Sequence, residues 1–124
     1  MFYMLSPIKK CPVETTLGVI GGKWKGVIIY HLLSGTKRFN ELRRIYPQVT
    51  HHTLTLQLRD LEREGIVTRK IYNQVPPKVE YSLTEFGRTL EPIILLMKEW
   101  GDQYEERVNQ SDHLEMNAAE QSNL

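Results

Sequence analysis

A single cysteine, Cys11, stands in a chain of 124 residues. One thiol forms no intramolecular disulfide, which excludes the disulfide-stapled scaffolds of small secreted domains and leaves only a bridge between two chains. Long apolar runs are missing as well. Val27 to Leu33 and Pro92 to Met97 end far short of the roughly 20 residues that cross a bilayer, so no transmembrane helix is expected. The opening MFYMLSPIKKC places its lysines after its apolar residues and lacks a small-residue cleavage site. That is the reverse of a secretory signal, and a cytoplasmic location is expected. The histidines and the cysteine form no metal-ligand spacing. His51 and His52 are adjacent, point about 100° apart on a helix, and have no second cysteine or acidic cluster to complete a set. Neither a metal nor a cofactor is expected.

With 40% hydrophobic residues, the chain has enough apolar surface for one compact domain and little room for a second. Residues 1–10 read as an N-terminal arm, 11–108 as the domain, and 109–124 as a polar tail without structure. The net charge of +1 conceals a segregation: residues 23–78 sum to +7 and residues 79–124 to −7. A basic middle joined to an acidic last third suggests a module that faces a polyanion, followed by a segment with another task such as dimerisation. Ordinary solvated surface is the competing reading.

Cys11-Pro12-Val13-Glu14 is a helix start, with proline at the first helical position and Val13, Leu17 and Ile20 following at helical spacing; Gly21-Gly22 ends it. A second helix from near Lys23 is apolar nearly all round and stops at Ser34-Gly35, as a buried central helix does. Phe39, Leu42, Arg43 and Ile45 support a short third helix closed before Pro47. Thr50 caps a fourth over 51–64, in which Leu54, Leu58 and Leu61 fall on one stripe. Gly65 stops it. Ile66 to Tyr72 and Val79 to Leu83 read as a β-hairpin. Thr84 caps a final helix carrying Leu90, Ile93, Ile94, Met97, Trp100, Tyr104 and Val108, with a kink or break at Pro92. The fold class is thus mainly α with a small β wing, a winged helix-turn-helix.

In that arrangement the fourth helix enters the major groove and the hairpin lies alongside. At 100° per residue, the face opposite the leucine stripe carries His52, Leu56, Arg59 and Arg63, with Thr55 at its edge. Arg59 and Arg63 suit phosphates, whereas Thr50, His51, His52, Thr53 and Thr55 are short enough to reach base edges. Leu56 fits a thymine methyl or a sugar edge. Arg38 before the third helix, and Arg69, Lys70 and Lys78 around the hairpin, add positive charge for a second groove or phosphate ridge. Charges on edge strands also guard against aggregation, and both readings stand at this point.

The stretches CPVETTLGVIGGKWKGVIIYHLLSG, KRFNELRRIYPQVTHHTLTLQLRDLEREGIV, PPKVEYSLTEFGRTLEPI and EWG resemble the HxlR-type regulators over residues 11–101. The resemblance implies a homodimer formed by the first and last helices, through Val13, Leu17, Leu90, Ile93, Ile94, Met97, Trp100 and Tyr104. It implies a wing made of the hairpin, and control of nearby genes, as a repressor, through an inverted-repeat operator in double-stranded DNA. The reading helix departs from relatives at His52, Thr53 and Leu56, which leaves the operator sequence open. Some members of the family sense oxidants or electrophiles with a cysteine at the position of Cys11. Lys9, Lys10 and the dipole of the first helix favour the thiolate there; an inert small hydrophobe is the alternative.

His31 lies on the stripe of Trp24, Val27 and Ile28 and reads as a hydrogen-bonded core histidine. A thiol enzyme built on Cys11 lacks an obvious base and oxyanion site, so no enzyme is expected. A winged helix that binds protein rather than DNA is the remaining alternative, and the local +7 argues against it.

Overall fold

The computed structural model describes residues 11–122, with side chains through residue 112. The expected arm, 1–10, lies outside the described residues. The chain divides into two units, Met1–Glu91 and Pro92–Leu124.

The first unit runs α1 (Pro12–Ile20), α2 (Lys25–Leu32), β1 (Lys37–Arg38), α3 (Phe39–Ile45), α4 (His51–Arg63), β2 (Val67–Tyr72), β3 (Lys78–Leu83) and α5 (Glu85–Arg88). This is the winged helix-turn-helix order, and its core forms where the helical and strand periodicities converge. Ile29 and Leu32 of α2, Leu54, Leu58 and Leu61 of α4 and Val67 of β2 are all but inaccessible to solvent. Leu54, Leu58 and Leu61 are the expected stripe of the fourth helix. Burying a leucine side chain contributes about 1.5–3 kcal/mol, so this stripe holds α4 against the rest of the unit.

The wing is a three-stranded antiparallel sheet in the order β1-β3-β2. Strand β1 is an addition to the expected hairpin. It pairs Lys37 with Tyr81 and Arg38 with Glu80, and a strand of two residues is too short to show alternation in a sequence. Val67, Tyr81 and Leu83 turn to the core. Their neighbours in the pleat, Thr68, Lys70 and Tyr72 of β2 with Lys78, Glu80 and Ser82 of β3, share the opposite face.

The final helix is two helices rather than one. Thr84 caps α5, a single turn, and a second helix, α6 (Glu91–Ser122), follows after Thr89 and Leu90. Proline lacks the N–H that a helix interior needs but fits a first turn, where no partner exists anyway. Pro92 therefore sits at the start of α6, and the chain breaks before it. The tail expected to be without structure continues α6 as far as Ser122. Between Asn109 and Ser122 there is no glycine or proline, and Leu114, Glu115, Met116, Ala118, Ala119 and Gln121 are good helix formers. Residues 123–124 lie outside the described residues. No helix of the described residues is long and apolar enough to cross a membrane.

Candidate nucleic-acid interface

The reading helix α4 is fixed at both ends by threonines. At its start the Thr50 hydroxyl accepts from the Thr53 N–H at 3.0 Å and donates to the Thr53 hydroxyl at 2.9 Å. Thr55 donates its hydroxyl to the His51 carbonyl at 2.8 Å. These hydroxyls therefore serve the helix itself, and Thr53 and Thr55 are half-buried. His51 is exposed with its ring 4.5 Å from that of Phe39. At the far end Gly65, with φ +76°, reverses the chain. Ile66 N–H then reaches the Leu61 carbonyl at 2.9 Å and Gly65 N–H the Glu62 carbonyl at 3.0 Å, a Schellman closure that only a left-handed residue permits. Thr84, at the end of β3, donates its hydroxyl to the Gly65 carbonyl at 2.6 Å and accepts from the Gly87 N–H at 2.8 Å. One side chain thus ties together the end of the reading helix, the end of the wing and the start of α5.

The face of α4 opposite the leucines carries what the helical arithmetic anticipates. His52, Leu56, Arg59 and Arg63 are all exposed, Leu56 at 44%. Arg59 makes no ion pair among the described residues, whereas Arg63 lies 3.1 Å from Asp60. Asp60 also meets Lys25 of α2 at 3.4 Å.

The four cations assigned to the wing and its flank separate. Arg69 faces the core side of the sheet and pairs with Glu62 of α4 at 3.4 Å, so it braces the wing against the reading helix. Arg38 is exposed and precedes α3, whose Glu41 carboxylate accepts from the Arg38 N–H at 3.0 Å. Lys70 and Lys78 stand on the other face with Tyr72 and Glu80. The hydrogen bond from Lys78 holds the Glu80 carboxyl below its usual value, and Arg38 adds to the effect. Burial raises the Tyr81 phenol on the core side, and the nearby Glu62 carboxylate adds to that effect.

Behind the start of α4 lies a cavity of about 10 Å³ lined by Trp24, Val27, Ile28, His31, Leu42, Tyr46, Val49 and Leu54. That is room for about one water molecule. The expected hydrogen bond of His31 is not made among the described residues, where its buried Nε2 has no partner. Aromatic rings surround it instead, Tyr30 at 5.1 Å and Tyr46 at 5.5 Å, both edge-on. Burial, and secondarily the charge of Lys37, hold its pKa below 6.5.

Cys11 is exposed at the N-cap of α1, where its carbonyl accepts from the Thr15 N–H at 3.1 Å. Val13 and Leu17 on the same helix are 65% and 56% exposed. In α6, Ile93, Met97, Trp100 and Tyr104 are exposed, with Trp100 and Tyr104 stacked at 5.3 Å. Ile94 is buried within the chain and Leu90 half-buried, so neither belongs to that exposed stripe.

A helical core whose fourth helix presents imidazole, leucine and arginine outward, beside a basic wing, defines a DNA-binding transcriptional regulator of the winged helix-turn-helix class. The model of the HxlR-like helix-turn-helix family matches residues 19–109, and the chain belongs to that family. It is 63% identical over 107 residues to the HTH-type transcriptional regulator YdeP of Bacillus subtilis (strain 168), covering 86% of this chain and 84% of YdeP. Among solved structures, the redox regulator HypR in its oxidized form matches with a TM-score of 0.72 and 71% identity, over 75% of this chain and 96% of HypR. The reduced form of the regulator YodB from B. subtilis matches with a TM-score of 0.66 and 36% identity, over 77% of this chain and 95% of YodB. Members of the family regulate transcription, and this chain is a regulator rather than an enzyme.

Proposed function

We propose that the chain is a sequence-specific repressor that binds an inverted repeat in double-stranded DNA as a homodimer and is released when Cys11 is oxidised. The observation that carries the DNA reading is the exposed face of α4, in which His52 and Leu56 stand toward the start and Arg59, which makes no ion pair among the described residues, follows one turn on. In a major groove the first two meet base edges and the third meets a phosphate. Arg59→Ala therefore weakens binding to every duplex, while His52→Ala and Leu56→Ala change the preferred operator.

The oxidation step is favoured by the exposure of Cys11 at a helix start and by the redox regulators among the relatives. With one thiol per chain, the product is a disulfide to Cys11 of a second copy or to a small free thiol. Each such bond gives two protons and two electrons to the oxidant, and diamide accepts both as it becomes the hydrazine. A bridge at Cys11 constrains α1 and, through it, the spacing of two reading helices. The site of action is the cytoplasm, where the operator is.

The test is an electrophoretic shift on the DNA upstream of the protein's own gene, with reduced protein, diamide-treated protein and Cys11→Ser in parallel. A specific shift that diamide abolishes only in the cysteine-bearing protein is the expected result. A shift indifferent to oxidant removes the sensor and keeps the regulator; no preference for that DNA over a random duplex removes specific recognition there.

A further inference from the structure

The face of the wing turned away from the core holds a cluster that the reading above leaves unused. Register places Arg38 of β1, Glu80 of β3 and Lys70 of β2 in one cross-strand row. Lys78 and Tyr72 pair two positions further along, and hence on the same face. Both oxygens of Glu80 are engaged: Lys78 Nζ lies 2.8 Å from Oε1, and the Tyr72 hydroxyl donates to Oε2 at 3.4 Å. The two lysine ammonium groups lie 4.8 Å and 4.6 Å from the centre of the Tyr72 ring. Among the described strand residues of this face, Glu80 is the one acid, beside the three cations Arg38, Lys70 and Lys78.

A carboxylate placed among phosphate-binding cations opposes DNA affinity in two ways. It repels the phosphates directly, and it neutralises the cation it holds, which then releases no counterion on meeting DNA. An exposed or half-exposed ion pair adds little to folding, so stability is a weak reason for such a residue. Restraint of sequence-independent affinity is a better one. Phosphate contacts carry no sequence information, and lowering them weakens the hold on random DNA along with every other duplex.

We propose that Glu80 withholds the charge of Lys78 from DNA phosphates and so restrains the sequence-independent part of DNA binding. This rests on the DNA reading above. Tyr72 keeps the arrangement in place: its hydroxyl fixes the second carboxylate oxygen, and its ring gives both lysines a resting position.

The test measures affinity for a mixed-sequence duplex by fluorescence anisotropy across a salt series, for the wild type, Glu80→Gln, Lys78→Ala and the double variant, with thermal midpoints alongside. Glu80→Gln is expected to bind on the order of fivefold to tenfold more tightly near the low-salt end, with a log–log salt slope steeper by about one. In the Lys78→Ala background the same substitution is expected to bring less than half of that gain, because no ammonium is freed. Either of two results overturns the proposal: no gain in Glu80→Gln, or an equal gain in the presence and absence of Lys78. Glu80→Ser, measured in the same two backgrounds, gives the same two readings should Glu80→Gln not fold. A wild type with no salt-dependent affinity for any duplex overturns the DNA reading itself, whereas normal wild-type binding with no Glu80 effect overturns this inference alone.

Discussion

His31 shows what a single buried polar atom does to an otherwise apolar helix. Its Nε2 has no partner among the described residues, and the rings of Tyr30 and Tyr46 meet the imidazole edge-on, so the neutral form is the one that fits. The folded-state pKa lies below 6.5. As pH falls from about 6.5, the unfolded chain takes up the proton first and the folded state loses stability relative to it; above that value the contribution is fully present. Wild-type protein is therefore expected to lose thermal midpoint more steeply than His31→Gln as pH drops below 6.5. Parallel slopes in the two proteins would remove His31 from the acid response. Which faces such residues occupy was legible only where the period is unambiguous. On α4 the 3.6-residue repeat correctly separates Leu54, Leu58 and Leu61 from His52, Leu56, Arg59 and Arg63. On β2 it is plain from the sequence that Arg69 and Lys70 point opposite ways, but which one meets the core depends on pairing with β3, and pairing is set by distant residues.

At the scale of elements, the stretch VEYSLTEFG acquires a mechanical explanation. Thr84 bonds at once to the Gly65 carbonyl and the Gly87 N–H. A Cβ at Gly87 would run into the Ile66 carbonyl. The joint between reading helix and wing is thus close-packed backbone held by one hydroxyl. Thr84→Ala is expected to lower unfolding free energy by about 1–2 kcal/mol, from a lost cap and an unsatisfied carbonyl. Thr84→Ser, which keeps the hydroxyl, is expected to recover most of it in denaturant titrations. Equal losses in the two variants would point to the methyl group rather than the hydrogen bonds. The helix order was readable from caps and stops because those signals are local, as Thr50 and Gly65 show. Strand β1 was not, because Lys37 and Arg38 become a strand only by pairing with Tyr81 and Glu80. Pro92 signalled a discontinuity without saying whether it bends one helix or begins another. The polar composition of 109–122 concealed its helical propensity.

For the whole molecule, the unresolved demand is apolar surface. Ile93, Met97, Trp100, Tyr104 and Val108 recur at spacings of three and four along α6 and stay 37–66% exposed, a single stripe of the kind that a partner covers. Val13 and Leu17 leave α1 exposed in the same way. A two-fold dimer uses one patch twice and places two reading helices at a fixed separation, which an inverted repeat matches. Trp100, at 66% exposure, contributes little to the fold of its own chain but is the kind of large aromatic on which interfaces depend. Trp100→Ala is therefore expected to weaken self-association by about 2 kcal/mol or more, roughly thirtyfold. Sedimentation equilibrium reads this directly, with a thermal melt at low protein concentration showing that the single chain stays folded. Binding to an inverted repeat should fall much further than binding to an isolated half-site, since only the former uses both reading helices together. A variant that stays dimeric with an unaltered preference for the repeat would take the interface away from α6 and leave α1 as the surface to examine.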